Sequence, residues 1–521
     1  MLFTSYSFIG FTGVLLSVYY LVPRRLQWII LLISSCVFYW VANPASLIYV
    51  SFTAFTIWGC AIMIDRDYGI QNEYIRLNKG TISKEDQKAF KARHKMIREI
   101  WTSFGIFLNI GILIVTKYFS FLAGLFTVQQ NHFTDIIVPL GISFYTLQAV
   151  GYLIDVKRGT IKAEGNLFKM LLFVSFFPQV IQGPISRFSD LSVSLFGEHE
   201  PERKEINFAL QRILWGYFKK LIVADRIAPA VITLVSDPAK YRGAYVIVAL
   251  VLYTIELYAD FTGGIDISIG VAGILGVKVT ENFRRPYFST SLKEYWRRWH
   301  ITMSQWFREF VFYPVSTSKL VQGISKFARK HLGNRGKKVP VYFSSFIVWV
   351  ATGLWHGANW TFIIWGMLNW LILTVSEELE PVYAAFHKKV GFSNSYGYKV
   401  FMCFRTILLI CILNLFDCYS SVRDTISVLA SIITETELGE LFSDKMLTIG
   451  MSGLDYVIVL AGVFVMLAVS LIQEKGDVRE YIWKMPYAIR FAIWFALFLS
   501  VLLIGAYGIG YDANQFIYNR F

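Results

Sequence analysis

Reactive thiols and catalytic signature loops are what this chain has least of. Five cysteines occur in 521 residues, four of them (Cys36, Cys60, Cys403 and Cys411) inside apolar runs, and none falls in a C-x-x-C or metal-like spacing. Neither a disulfide framework nor a zinc site is indicated. The chain has no Walker loop, no G-x-G-x-x-G after a strand, no H-E-x-x-H and no G-x-S-x-G elbow. ATPase, Rossmann oxidoreductase, zinc protease and serine hydrolase readings lose their usual supports. No short-period repeat, heptad array or Pro/Ser-rich linker marks a boundary, so residues 1–521 read as a single membrane-embedded domain.

What the chain has is apolar length. It is 55% hydrophobic and 17% aromatic, with a mean hydropathy of +0.49, far from a soluble balance. This composition predicts an all-α, polytopic membrane protein. A helix crosses about 30 Å of hydrocarbon in roughly 17 to 25 residues, which places spans near 6–22, 26–42, 45–64, 101–119, 135–155, 340–356, 360–378, 398–416, 454–473 and 487–509. Met1 to Phe8 carries no basic n-region and no small-residue cleavage site, so the first span is expected to be retained.

The net charge of +14 comes from bases in the loops between apolar runs rather than on one soluble surface. That distribution argues against nucleic acid and for membrane orientation and contact with anionic lipid. The loop from Asp65 to Glu99 holds nine Lys and Arg residues, Arg66 and Arg98 among them, and is expected in the cytoplasm, which puts both termini outside. Lys157, Arg158 and Lys162, and later Lys388, Lys389 and Lys399, keep the alternation. The loop after Phe416 is acidic instead, with Asp417, Asp424, Glu435, Glu437, Glu440 and Asp444.

Residues 156–339 do not read as simple spans. The runs Phe168 to Gly183 and Tyr245 to Val277 are both flanked by bases, and the second reads as too long for one helix and as broken by Gly263-Gly264. Re-entrant or hairpin helices broken at these points are expected, with Gln182-Gly183-Pro184 as one turn. A membrane tolerates such breaks only where protein or water covers the backbone, which implies a central cavity or tunnel. The segment Leu292 to Phe310 has Trp296, Trp299, Met303, Trp306, Phe307 and Phe310 at helical spacing with Arg297, Arg298 and Arg308 between them. Alone it reads as an interfacial amphipathic helix with snorkelling arginines.

Of seven histidines, His94, His199, His331 and His387 lie in charged segments and His132 in a short polar loop, all with an ordinary solvated explanation. His300 and His356 alone are embedded in aromatic and apolar sequence. An ionisable group there is costly and usually pairs with something or handles a substrate, and imidazole can act as acid or base near neutrality. For His356 the bland alternative is a helix-ending ring bonded to nearby backbone or to Asn359. Asp260 and Asp266 straddle the Gly-Gly pair and read more readily as members of a buried polar network than as a catalytic pair. His300 and Ser304, four apart, would share one face of a helix. The candidate substrate contacts are Trp296, Trp299, Ser304, Trp355, Asn359 and Asp260, and no metal ligand set is read.

These residues carry a resemblance. Pro139 to Tyr145, Phe177-Pro178-Gln179, Gly183-Pro184, Tyr258 to Phe261, Glu281-Asn282-Phe283, Trp296 to Ser304 and Leu354 to Trp360 together resemble the membrane-bound O-acyltransferase family, in its bacterial alginate and peptidoglycan O-acetyltransferase branch. The motifs fall within residues 1–380, leaving 381–521 as C-terminal spans with the acidic outer loop. The resemblance implies His356 as catalytic and His300 as a second functional residue. It also implies a cytoplasmic thioester donor such as acetyl-CoA, no tightly bound cofactor, a polysaccharide acceptor and an extracytoplasmic acetyltransferase-like partner. Where relatives tend to carry Phe-Arg-Ala, this chain has Phe416-Asp417-Cys418, which points to a different partner for the C-terminal third. Two alternatives stay open: D-alanyl transfer to teichoic acid from a carrier-protein thioester, and a non-enzymatic transporter or polysaccharide-export component.

Overall fold

The computed structural model describes residues 3–125, 138–392 and 395–507. Those residues are helical with turns and contain no strand. Among the described residues eight helices are long and apolar enough to cross a membrane, and a ninth follows if Trp360–Glu378 is joined to Glu380–Lys389 across a 52° bend. The protein is therefore all-α and polytopic. The described residues divide into two compact units, one lying within 3–206 and 271–280, the other within 207–270 and 281–507.

In the first unit, α1 (Tyr6–Leu21), α2 (Gln27–Ala42), α3 (Pro44–Leu77) and α4 (Lys84–Leu113) follow one another with short connections. The long basic loop expected between Asp65 and Glu99 is instead helical nearly throughout, because α3 and α4 both continue past their apolar stretches. A buried polar cluster joins those extensions. Asp67 accepts from Arg98 at 2.7 Å and lies 2.6 Å from His94 Nδ1, while Arg98 also donates to Gln71 at 3.0 Å. His94 is thus buried against a carboxylate and not solvated. His199 is also engaged, its Nδ1 lying 2.9 Å from the Tyr19 hydroxyl, whereas His132 lies outside the described residues. The expected span 135–155 begins outside them too; its described part is α5 (Ile142–Arg158), buried along most of its length. The Phe168 to Gly183 run forms two short helices, Leu167–Ser175 and Phe177–Val180, each too short to cross hydrocarbon.

The second unit holds most of α6 (Arg203–Tyr217), which widens into a π-helical turn over Phe218–Ala224, and α7 (Ala244–Ile274). Here the expectation of a break fails, since α7 runs unbroken through Gly263-Gly264. The glycines serve close packing rather than interruption. A Cβ at Gly263 would lie 3.0 Å from the Gly216 carbonyl oxygen, and one at Gly216 would lie 2.6 Å from that of Gly263. The two backbones meet where neither helix has a side chain, as small-residue crossings allow in membranes.

Charges then lock the crossing. Arg212 donates Nε to Asp266 at 2.8 Å and binds Glu281 through both terminal nitrogens. Lys219 lies 2.5 Å from Asp266 and 2.8 Å from Thr262, while Lys220 lies 2.5 Å from Asp260 and 2.6 Å from Asp225. Removing one partner from such a cluster strands a buried charge. Beyond it come α8 (Leu292–Arg298), α9 (Ile301–Phe307), α10 (Val339–His356), α11 (Trp360–Glu378), α12 (Tyr396–Cys418), α13 (Gly453–Ile472) and α14 (Tyr487–Ile504).

Gly216→Val should overpack the α6–α7 crossing and cost about 1–3 kcal/mol, lowering the thermal midpoint of the purified protein. Gly69→Ala, in α3 with nothing within 4 Å of the added methyl, should instead leave the midpoint unchanged or raise it, by up to about 1 kcal/mol.

Candidate active site

The segment from Leu292 to Phe310 is not one amphipathic helix. α8 ends at Arg298 and α9 begins at Ile301, and between them His300 takes a left-handed conformation with φ 45°. A non-glycine residue held there is strained and persists only when its surroundings over-determine it. Asn282 supplies that determination. Its Oδ1 accepts from the Thr302 amide at 3.1 Å and the Thr302 hydroxyl at 2.9 Å, capping α9. Its backbone carbonyl accepts from the Ile301 amide at 3.0 Å, and the Arg284 amide donates to the Arg298 carbonyl at 2.9 Å. The stretch 282–284 therefore clamps both sides of the kink. Because Arg212 holds the adjacent Glu281, the ion cluster reaches the kink through a single peptide link.

The kink turns the His300 imidazole into the protein, where it is fully enclosed. Phe261 of α7 meets the ring edge-on at a centroid distance of 5.1 Å, and Trp355 of α10 does so at 5.7 Å. Trp355 also stands against His356 at 5.1 Å, so one indole bridges the two histidines. Burial first, and the neighbouring His356 second, hold the His300 imidazole well below its ordinary pKa. A neutral ring keeps one N–H donor and one acceptor nitrogen.

His356 is the last residue of α10 and is only partly buried. Its placement depends on the tight α10–α11 hairpin. A Cβ at Gly353 would collide with the Phe362 carbonyl oxygen, and one at Gly366 with that of Trp349. The close crossing brings the His356 ring to 5.1 Å from Trp365 and 6.4 Å from Phe362. Asn359 begins α11 as its cap, accepting from the Thr361 amide at 3.1 Å and donating to the Ser420 carbonyl at 3.0 Å. Both polar ends of the Asn359 side chain are thus engaged with backbone groups.

The other sequence candidates divide. Trp296 and Trp299 are not interfacial anchors: Trp296 donates its indole N–H to Asn369 at 3.0 Å and stands against Trp349 and Trp365, at 5.0 and 5.6 Å. Trp299 is buried among Phe283, Tyr295 and Phe261. Arg298 bonds Glu294, one turn back in α8, at 2.5 Å. Ser304 sits one turn into α9, its amide donating to the carbonyl of His300, the residue that precedes the helix as its cap, at 3.1 Å. Asp260 pairs with Lys220, which also binds Asp225, a placement that suits the buried-network reading. Asn282 escaped selection as a site residue, although the motif Glu281-Asn282-Phe283 was visible; nothing in the sequence says that residue 282 caps a helix starting nineteen positions later.

The membrane-bound O-acyltransferase family model matches residues 160–420. The chain is 33% identical to "Probable alginate O-acetylase AlgI" of Azotobacter vinelandii over 73% of its length and 69% of that protein. It is 29% identical to "Peptidoglycan O-acetyltransferase" of Helicobacter pylori, over 58% of this chain and 59% of that one. Against "Teichoic acid D-alanyltransferase" of Streptococcus thermophilus the identity is 30%, covering 46% of this chain and 56% of the relative. The chain belongs to the membrane-bound O-acyltransferase family and is an acyltransferase.

The depressed pKa of His300 has a consequence for stability. The unfolded chain takes up a proton at this histidine as pH falls below about 6.5, while the folded chain does so only at lower pH. Stability should therefore decline as pH falls below that value, by at most ~1.4 kcal/mol per pH unit. Thermal unfolding of the detergent-purified protein between pH 7.5 and 5 (about two and a half units across that window) should show the decline, and His300→Gln should flatten it.

Proposed function

We propose that this protein passes an acetyl group from a cytoplasmic thioester, acetyl-CoA, to hydroxyls of an extracytoplasmic polysaccharide, with His356 as general base. The observation that carries this reading is the pairing of an enclosed His300 with a partly accessible His356 through the single indole of Trp355. The family membership and the names of the relatives support an O-acyl acceptor of the cell envelope.

A thioester already has a good leaving group, so the protein needs chiefly to position a hydroxyl, take its proton and accommodate oxyanion charge. His356 accepts the hydroxyl proton as the oxygen attacks the thioester carbonyl carbon. The carbon–sulfur bond breaks, and the proton held on His356 passes to the departing thiolate. His300, neutral at working pH, orients the thioester or donates a hydrogen bond to its carbonyl oxygen. Trp296, Trp299, Ser304 and Trp355 shape the approach, while Asn359 and Asp260 act through the elements they hold. The bases of the alternate loops support a topology with both termini outside, and the acidic outer segment after Phe416 suits an extracytoplasmic protein partner that completes transfer. Partial similarity to a D-alanyltransferase keeps one second reading, in which the donor is an aminoacyl carrier protein.

The test is a deletion strain complemented with wild type, His356→Ala or His300→Ala at matched membrane levels, with acetyl and D-alanyl esters of envelope and secreted polymers quantified separately. Wild type should restore acetyl ester, and His356→Ala should fall by the roughly 10²–10⁴-fold that loss of a general base entails. Full restoration by His356→Ala would rule out its catalytic role. Restoration of D-alanyl ester alone would move the donor assignment to the carrier protein.

A further inference from the structure

A cavity of about 1050 Å³ lies in the second unit, lined by α6, its π-helical turn, α7, α13 and α14. Neither histidine lines it, nor does any other candidate site residue, so it is not part of the site described above.

Two of its walls are apolar stripes at helical spacing. α13 contributes Val457, Ala461, Val465 and Val469, and α14 contributes Ile493, Leu497 and Ile504. α14 has no buried residue along its whole length, so it stands at the edge of the unit and not within its packed interior. In a bilayer a dry apolar space forfeits dispersion contacts, and hydrocarbon is the material at hand to restore them. The α14 residues on the cavity run from Ile493 to Ile504, about 17 Å at the usual helical rise, close to the roughly 15 Å hydrocarbon depth of one leaflet.

The far end is cationic. Five basic side chains line the cavity against three carboxylates, leaving two positive charges in excess. Arg212, Lys219 and Arg479 are engaged with Asp266, Glu281 and Asp477. The Arg284 guanidinium has no ion-pair partner among the described residues, and Arg285, which reaches Glu474 at 3.2 Å, keeps a buried Nε–H without an acceptor. Deeper along α14, the buried indole N–H of Trp494 also lacks an acceptor. Anion-seeking donors at one end, an ester-seeking donor partway down and apolar stripes beyond follow the order of groups in a glycerophospholipid.

We propose that this cavity is a binding site for one anionic glycerophospholipid. Its phosphate sits at Arg284 and Arg285, an ester carbonyl accepts from Trp494, and its acyl chains fill the space between α13 and α14. The lipid would tie the C-terminal pair of helices to α6 and α7 without entering the chemistry at His356.

The test is native mass spectrometry of the full-length, delipidated protein in mild detergent, titrated with palmitoyl-oleoyl phosphatidylglycerol or with the phosphatidylcholine of the same chains. One phosphatidylglycerol should be retained per protein in clear preference to phosphatidylcholine. Arg284→Gln, which removes an exposed side chain, should weaken retention about fivefold, as one basic charge near an anionic headgroup implies. Ala461→Trp should fill the space and abolish retention while the thermal midpoint stays close to wild type; if that variant does not accumulate, Leu497→Trp fills it from the opposite wall. Equal retention of the two lipids, undiminished retention in the filled variant, or displacement by free glycerol phosphate would each overturn the proposal.

Discussion

A charge cannot rest in hydrocarbon without a counter-charge, and the second unit is organised around that constraint. Arg212, Lys219 and Lys220 leave one helix and its π-helical turn to meet Asp260 and Asp266 of α7, Asp225 and Glu281. A well-packed apolar core could be as stable. What the ionic arrangement adds is register, since each cation fits only where its carboxylate stands, and the glycine crossing at Gly216 and Gly263 permits the close approach that the short bonds require. The π-helical turn over Phe218–Ala224 is what carries Lys219 and Lys220, adjacent in sequence, to two different carboxylates.

From that lattice the site follows by short steps. Glu281, held by Arg212, fixes the start of the stretch whose next residue, Asn282, caps α9 and clamps the kink at His300. α7, held by the same lattice, presents Phe261 to the other side of the His300 ring. A neutral, immobile imidazole results, and the more open His356 is brought beside it by an independent device, the glycine-spaced α10–α11 hairpin. Each histidine is thus placed by a different element, and Trp355 is where the two placements meet. Burial depresses the His300 pKa, which under the proposed function suits a ring that orients the thioester while His356 takes the proton.

Much of this was legible in the sequence, for identifiable reasons. Apolar run length depends only on the thickness of hydrocarbon, so most of the spans could be read directly, and the rarity of histidine in apolar sequence isolated His300 and His356. Features that depend on a second element were hidden. Gly263-Gly264 looks like a helix break when read alone, and only the facing Gly216 turns it into a crossing. The tryptophans of 292–310 look interfacial until Asn369, Trp349 and Trp365 are placed around them. The kink at His300 could not be seen because its cause, Asn282, sits on a separate stretch of chain. His94 looked solvated among lysines, and its carboxylate partner Asp67 lies on the neighbouring helix α3.

The most direct test of acyl transfer through His356 follows ester formation by the purified full-length protein in sealed vesicles. Labelled acetyl-CoA is supplied on one face and a polysaccharide with free hydroxyls on the other. Label should appear in base-labile ester on the polysaccharide with wild type and fall to background with His356→Ala of unchanged thermal midpoint. Equal transfer by the two proteins would contradict the assignment of the chemistry to this histidine.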